Sequence, residues 1–135
     1  MNQVKSDHDL GSIDFQILWT RIISIADEMA ITLVRTAFSH VVRENQDYGC
    51  GIYDADGRMM AQSTQCTPGH IGAMPIVVQD MLEKYPADSL VPGDVLITND
   101  PWLGAGHTPD IFITTPVFSD GKLLGFACNC AHHID

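Results

Sequence analysis

His107 and Asp110 lie three residues apart in a glycine-rich segment that follows an apolar run. A neutral imidazole nitrogen and a carboxylate oxygen are common ligands of divalent metals, and the carboxylate charge offsets that of the cation. Gly104 and Gly106 permit close backbone approach and unusual backbone angles, so both side chains can turn toward one point. The segment therefore fits a metal site. The same spacing also fits a loop histidine beside an aspartate that caps a turn.

A second group of the same residue types, His132, His133 and Asp135, follows another apolar run. Neighbouring residues of a strand point to opposite faces of a sheet. At most one of the two histidines can therefore face a given site if the strand continues through them. We expect the other to make structural hydrogen bonds or to support a ligand. The alternative is an ordinary polar strand end.

Four further side chains could carry chemistry, and each also has a plain structural interpretation. Asp47 belongs to a polar run that is typical of a solvated turn. His70 follows a Pro-Gly step at the start of a predicted helix, where it could cap the helix or bind an anion. Cys128 and Cys130 share one face of a predicted strand and fit buried apolar thiols.

Composition limits the classes of function. The chain has 135 residues, room for one domain with a real core, and 45% of them are hydrophobic. Its formal charge of −10 argues against binding to nucleic acid or to an anionic membrane, because both partners require a positively charged protein surface. The sequence contains no apolar run of membrane-spanning length, no signal peptide pattern and no phosphate-binding loop motif. We therefore expect a cytoplasmic protein with free thiols that does not itself bind a nucleotide.

Hydrophobic periodicity and turn signals predict an α+β fold in which two amphipathic helices pack on mainly antiparallel strands and hairpins. The predicted elements are a flexible tail at 1–11, helices at 12–37 and 74–85, hairpins at 51–62 and 111–129, and a strand at 94–98. The predicted buried stripe of the first helix is Leu18, Ile22, Ile25, Met29 and Leu33. That of the second is Val77, Val78, Met81, Leu82 and Tyr85.

Eight short motifs occur along the chain in a fixed order. They are RTAFS (35–39), YDADGR (53–58), AQ (61–62), HIGAM (70–74), PGD (92–94), TNDP (98–101), HTPD (107–110) and AHHID (131–135). With these motifs the sequence resembles the N-terminal part of the hydantoinase B/oxoprolinase family, from about residue 13 onward. The resemblance implies that residues 12–135 are the N-terminal portion of a larger domain, truncated at its C-terminus.

The resemblance also implies an activity. We expect a metal-dependent subunit of an ATP-coupled cyclic amidase, which opens hydantoin or 5-oxoproline rings after a hydantoinase A-type partner binds ATP and phosphorylates the substrate carbonyl oxygen. The catalytic group would be a metal-bound water whose pKa the cation lowers. One alternative is a subunit of an ATP-dependent acetone or ketone carboxylase. Another is a catalytically silent fragment, and the isolated chain is expected to be inactive alone.

The resemblance also implies which residues of this sequence correspond to the family's metal site. The implied metal ligands are Asp47, His107, Asp110 and His132. The implied supporting residues around them are His70, Asp100, His133 and Asp135. Carboxylates are hard Lewis bases and imidazoles are borderline ones, so Mn, Zn and Fe are all compatible with this ligand set.

Overall fold

The computed structural model describes residues 11–134. The predicted tail at 1–11, apart from Gly11, and the implied supporting residue Asp135 lie outside the described residues. The elements, in chain order, are α1 (Ser12–Thr36), α2 (His40–Glu44), β1 (Tyr48–Asp54), β2 (Met59–Gln62), α3 (Pro68–Lys84), a 3-10 turn (Ala87–Ser89), β3 (Leu96–Thr98), β4 (Asp110–Ser119) and β5 (Lys122–His132).

The five strands form one antiparallel sheet in the order β2-β1-β5-β4-β3. Alternate residues of β1 enter two different cores, because successive side chains of a strand point to opposite faces. Tyr53 joins the larger core with Met74 of α3 and Phe112 of β4. Cys50 joins a smaller core with Ala30 of α1. The α+β class with helices on an antiparallel sheet is confirmed.

Helix α1 has the predicted extent, and its predicted buried stripe is right only in part, since Met29 and Leu33 are partly buried against the smaller core. Ala26 and Ala30 are its buried residues, whereas Leu18 and Ile25 are exposed. Small side chains let the helix backbone approach the sheet closely, so the larger residues flank the contact. Residues 12–21 are all exposed, and burial begins only at Ile22. Within residues 11–134, no helix is long and apolar enough to cross a bilayer.

Helix α3 begins six residues before the predicted start at Met74, and this difference matters for the site. Pro68 occupies the first turn, where the missing N–H costs nothing because that donor has no intrahelical partner. The early start places His70 on the buried face of the helix. Tyr85, predicted to be buried, is exposed and follows the last helical residue. Helix α2 was not predicted because five residues carry too little periodicity.

The strands extend further toward the candidate site than predicted. Strand β4 begins at Asp110 and β5 continues to His132. Strand β3 is shorter than predicted and begins at Leu96. The extra residues pair with each other, Asp110 opposite His132. The segment with His107 and Asp110 and the segment with His132 and His133 therefore meet at one end of the sheet.

The turn between β1 and β2 is held by one carboxylate. Asp54 accepts hydrogen bonds from the backbone N–H of Asp56 at 3.0 Å, the backbone N–H of Arg58 at 2.8 Å and the Arg58 guanidinium at 2.8 Å. Gly57 supplies the positive φ, 74°, that a tight hairpin turn requires. Burial raises the pKa of Asp54, but the hydrogen bonds and charge of Arg58 outweigh burial, so the net pKa is below its ordinary value.

We predict that Asp54→Asn lowers the melting temperature at neutral pH, because the amide loses charge-assisted bonds to Arg58. A carboxyl group with a depressed folded-state pKa contributes stability above its unfolded pKa of about 4 and loses it as pH falls. The difference between wild type and Asp54→Asn should therefore shrink in thermal melts taken from pH 7 to pH 3. Asp88→Asn, in the exposed 3-10 turn, is the control. A difference that is constant with pH would contradict the assignment.

Candidate metal centre

Asp110 is a buried carboxylate at the first residue of β4, with 1% of its surface exposed. Its cross-strand partner is His132, the last residue of β5. Directly opposed residues of an antiparallel pair present their side chains to the same face. The sheet register thus brings together one residue from each of the two sequence motifs.

Two imidazoles converge on the same oxygen of Asp110. His107 Nε2 lies 2.7 Å and His70 Nε2 lies 3.1 Å from Oδ2. The other oxygen, Oδ1, is buried without a hydrogen-bond partner among the described residues. An unpartnered oxygen of a buried carboxylate is costly, since water no longer solvates it. The geometry therefore leaves acceptor capacity at Asp110 for a cation.

His107, Asp110 and His132 form a group whose potential ligand atoms all lie within 4.8 Å of one another. The two imidazole rings meet edge to face with their centroids 5.1 Å apart. His132 Nδ1 is buried without a partner in the part of the chain that the structure describes. The His107 side chain is 49% exposed, so this group opens to solvent on one side.

The loop that carries His107 uses its glycines as the sequence predicted. A Cβ on Gly104 would lie 2.6 Å from the Phe112 ring, so only glycine lets the loop pass this close to β4. Gly106 has a φ of 85°, in the left-handed region that favours glycine. These two positions fold the loop back over the start of β4.

Asp47 lies beside this group but is not one of its members. The backbone carbonyl of Asp47 accepts a hydrogen bond from the His132 N–H at 3.2 Å, which places the residue next to the end of β5. The Asp47 carboxylate oxygen Oδ1 lies 3.7 Å from His70 Nδ1. The His70 imidazole therefore stands between the carboxylates of Asp47 and Asp110.

His133 and Asp100, which the resemblance implied as supporting residues, both lie outside the cluster. His133 donates its backbone N–H to the Pro109 carbonyl at 2.8 Å, but its side chain is exposed and belongs to neither group of potential ligands. The Asp100 carboxylate accepts a hydrogen bond from the Trp102 N–H at 2.9 Å and stabilises its own turn. Neither residue is brought into the cluster. His70, in contrast, contacts the Asp110 carboxylate of the cluster.

Sequence reasoning missed Thr67 as a residue of the site. Its hydroxyl donates to Asp47 Oδ1 at 2.9 Å, and the same hydroxyl lies 3.2 Å from the Gln46 carbonyl. The Thr67 side chain makes no capping bond to α3. Its position just before the Pro-Gly step was the only available signal, and the contact itself spans twenty residues of sequence.

Cys130 was predicted to be an apolar core thiol, and the structure places it beside polar groups as well. It packs in the larger core with Cys128, but it also forms a buried group of potential ligands with His70 and Asp110. Burial, and then the nearby Asp110 carboxylate, raises the pKa of the Cys130 thiol. Burial likewise raises the pKa of Cys50 and Cys128 to about 12. These groups are therefore neutral thiols in the metal-free protein at neutral pH.

The residues present fit a divalent metal. Imidazole nitrogens and carboxylate oxygens suit Zn, Mn and Fe, and the buried Asp110 Oδ1 and His132 Nδ1 both lack hydrogen-bond partners among residues 11–134.

The hydantoinase B/oxoprolinase family model matches residues 11–135. The chain belongs to this family. It is 38% identical to 5-oxoprolinase 1 of Arabidopsis thaliana over 123 residues, which cover 91% of the chain and 10% of that protein. It is 32% identical over 138 aligned positions to a proposed B-type subunit of a D-/L-hydantoinase from Pseudomonas sp. strain NS671, covering the whole chain and 23% of that protein. The chain thus spans a quarter or less of the length of these family members.

Two solved structures share the fold. An acetone carboxylase, solved nucleotide-free, superposes with a TM-score of 0.75 at 24% identity, over 87% of this chain and 16% of that one. An ATP-dependent caprolactamase from Pseudomonas jessenii also gives a TM-score of 0.75, at 23% identity over 93% of this chain and 21% of that one. The same sheet with its flanking helices therefore forms a small part of each of these two longer chains.

We predict that Thr67→Val weakens divalent metal binding about tenfold, because residues that hydrogen-bond to ligands typically contribute 10- to 100-fold to affinity. Thr67→Ser keeps the hydroxyl and should bind metal as the wild type does. Without metal, Thr67→Ser should melt as the wild type does, whereas Thr67→Val loses the contacts with Asp47 and Gln46 and should melt slightly lower. Titration calorimetry with Zn²⁺ measures the affinities. Equal affinity in Thr67→Val and wild type would show that Thr67 does not orient a ligand.

Proposed function

We propose that this chain is the metal-holding part of an ATP-coupled enzyme that opens hydantoin or 5-oxoproline rings, with Asp47, His107, Asp110 and His132 as metal ligands. The observation that carries the proposal is the buried carboxylate of Asp110, which meets His107 and His132 at a solvent-accessible end of the sheet. Membership of the hydantoinase B/oxoprolinase family supports it. The names of the relatives supply the substrate class, since they include a 5-oxoprolinase and a proposed hydantoinase subunit.

Each residue has a distinct task in this proposal. Asp110 supplies a carboxylate oxygen at the centre of the group, and His107 closes its exposed side. Asp47 adds a second negative charge, so that two carboxylates offset the two charges of the cation. Thr67 and His70 orient the Asp47 and Asp110 carboxylates. When bound, Mn, Zn or Fe would act as a Lewis acid and lower the pKa of water at an open coordination position.

ATP chemistry is assigned to a partner. The sequence has no phosphate-binding loop motif, whereas the caprolactamase and the acetone carboxylation are both described as ATP-dependent. We therefore propose that a hydantoinase A-type subunit or domain binds ATP and phosphorylates the carbonyl oxygen of the cyclic amide. Attack of water on the activated carbon then breaks the ring C–N bond with the ring nitrogen as leaving group, and a second water hydrolyses the resulting acyl phosphate to a carboxylate and inorganic phosphate. The proposed enzyme is cytoplasmic, and residues 12–135 are the N-terminal portion of its metal-binding domain.

A ketone carboxylase subunit is the second candidate, because the acetone carboxylase shares the fold. In that reaction the same ligands would orient an enolate toward carbon dioxide derived from bicarbonate. A catalytically silent fragment is the third candidate for the chain by itself, since the chain covers only 10% to 23% of its relatives.

We predict that His107→Ala and Asp110→Ala each abolish tight metal binding, because each removes a ligand atom of the group. His132→Ala should weaken binding more than His133→Ala, whose imidazole lies outside the group. Elemental analysis and Zn²⁺ titration of the purified variants measure this. His133→Ala is the matched control, because it removes the same side chain from the adjacent position. Equal losses in His132→Ala and His133→Ala would refute the ligand assignment.

The activity itself is tested by combining the chain with a hydantoinase A-type partner and ATP. Hydantoin, 5-oxoproline and acetone are the substrates, and ring opening or acetoacetate formation is measured together with ADP release. The proposal predicts ring opening that requires metal and is lost in Asp110→Ala. Acetoacetate formation would favour the carboxylase. A metal-loaded complex that turns over none of the three substrates would favour the silent fragment.

A further inference from the structure

Behind the solvent-accessible group lies a second cluster of potential ligands that is fully buried. It consists of His70, Asp110 and Cys130, which are 4%, 1% and 0% exposed. One ligand atom from each residue lies within 4.8 Å of the others. We propose that this cluster is a second, inner metal position for a thiophilic divalent cation. The outer position is the group His107, Asp110 and His132 described above. The inference rests on the proposed function, because Asp110 belongs to both the inner and the outer position.

The sheet and α3 together create the inner position. Cys130 precedes His132 by two residues on β5, so both side chains point to the same face, about 7 Å apart along the strand. His70 approaches from the first turns of α3. Asp110 lies between the two histidine-containing groups and belongs to both. A carboxylate has two oxygens, and two-metal sites hold their ions about 3.5–4 Å apart, which one bridging carboxylate can span.

Unsatisfied hydrogen-bonding capacity supports the proposal. Asp110 Oδ1 is buried without a partner among the described residues, although Oδ2 has two imidazoles within reach. The nitrogen of His70 that reaches Asp110 is Nε2, whereas its Nδ1 lies 3.7 Å from Asp47 Oδ1. Native interiors rarely leave a buried oxygen such as Asp110 Oδ1 unpaired. A cation at the inner position would use the acceptor capacity that the protein leaves open.

The donor set selects the type of metal. A thiolate, an imidazole and a carboxylate suit Zn²⁺ or Co²⁺, whereas Mg²⁺ and Ca²⁺ prefer oxygen ligands alone. The charges also balance, because two divalent cations are offset by Asp47, Asp110 and the Cys130 thiolate together with one hydroxide. The outer group contains no sulfur, so the thiolate marks the inner position spectroscopically.

Cys128 provides a matched control for the role of Cys130. Both thiols lie on the same face of β5, both are fully buried, and both pack in the larger core. Cys128 belongs to neither group of potential ligands among the described residues. Removing either thiol thus creates a similar small cavity, and only the loss of Cys130 should affect metal.

The test is a titration of the chain with Co²⁺, read by optical absorption and by bound metal per chain. The proposal predicts about two Co²⁺ per chain and a thiolate-to-cobalt charge-transfer band in the near ultraviolet. Cys130→Ala should lose the band and one Co²⁺, and Cys128→Ala should keep both. His107→Ala should lose the outer Co²⁺ and keep the band.

The outcomes separate this inference from the proposed function. One Co²⁺ per wild-type chain with no thiolate band would overturn the inner position and leave the outer one standing. A band that survives in Cys130→Ala, or that disappears equally in Cys128→Ala, would also overturn it. A band that depends on Cys130, in a chain whose metal content is unaffected by His107→Ala and His132→Ala, would support the inner position and refute the outer one.

Discussion

The buried carboxylate of Asp110 is the constraint around which this end of the molecule is organised. A charged group removed from water needs charge or hydrogen bonds in return, and here two imidazoles contact one oxygen while the other stays unpartnered among the described residues. The β4–β5 register holds Asp110 opposite His132, and the early start of α3 brings His70 to the same point. The architecture therefore brings together imidazole and carboxylate groups of the kind that suit a divalent cation.

The two proposed positions differ in access and in chemistry. The outer one includes His107, whose side chain is about half exposed, and suits a reaction in which a substrate must reach the metal. The inner one is enclosed by α3 and the sheet and contains a thiol, which suits a tightly held ion that fixes the shared carboxylate. In such a centre the inner ion would orient Asp110, and Thr67 would orient Asp47.

Local sequence signals predicted the elements well and the long-range contacts poorly. The Asp-Gly turn, the glycines of the His107 loop and the antiparallel hairpins follow from residue types that act over a few positions. The buried face of α1 was only partly right, because Ala26 and Ala30 are its most buried residues, whereas Leu18 and Ile25 of the predicted stripe are exposed. The start of α3 was missed because a Pro-Gly step is typical of a loop, whereas Pro68 lies here in the first turn of the helix. Thr67 and Cys130 reach the site through sheet register and helix placement, which no short motif encodes.

The central claim is that Asp110 is buried in order to hold a metal, and thermal unfolding with and without metal tests it most directly. Asp110→Asn removes the charge and keeps the shape. A ligand that binds only the folded state raises stability, so Zn²⁺ should raise the melting temperature of the wild type and not that of Asp110→Asn. The melting temperature of each protein in chelator is its own reference, because Asp110→Asn also weakens the contacts with His107 and His70. An equal rise in melting temperature with Zn²⁺ in both proteins would show that Asp110 serves the fold and not a metal.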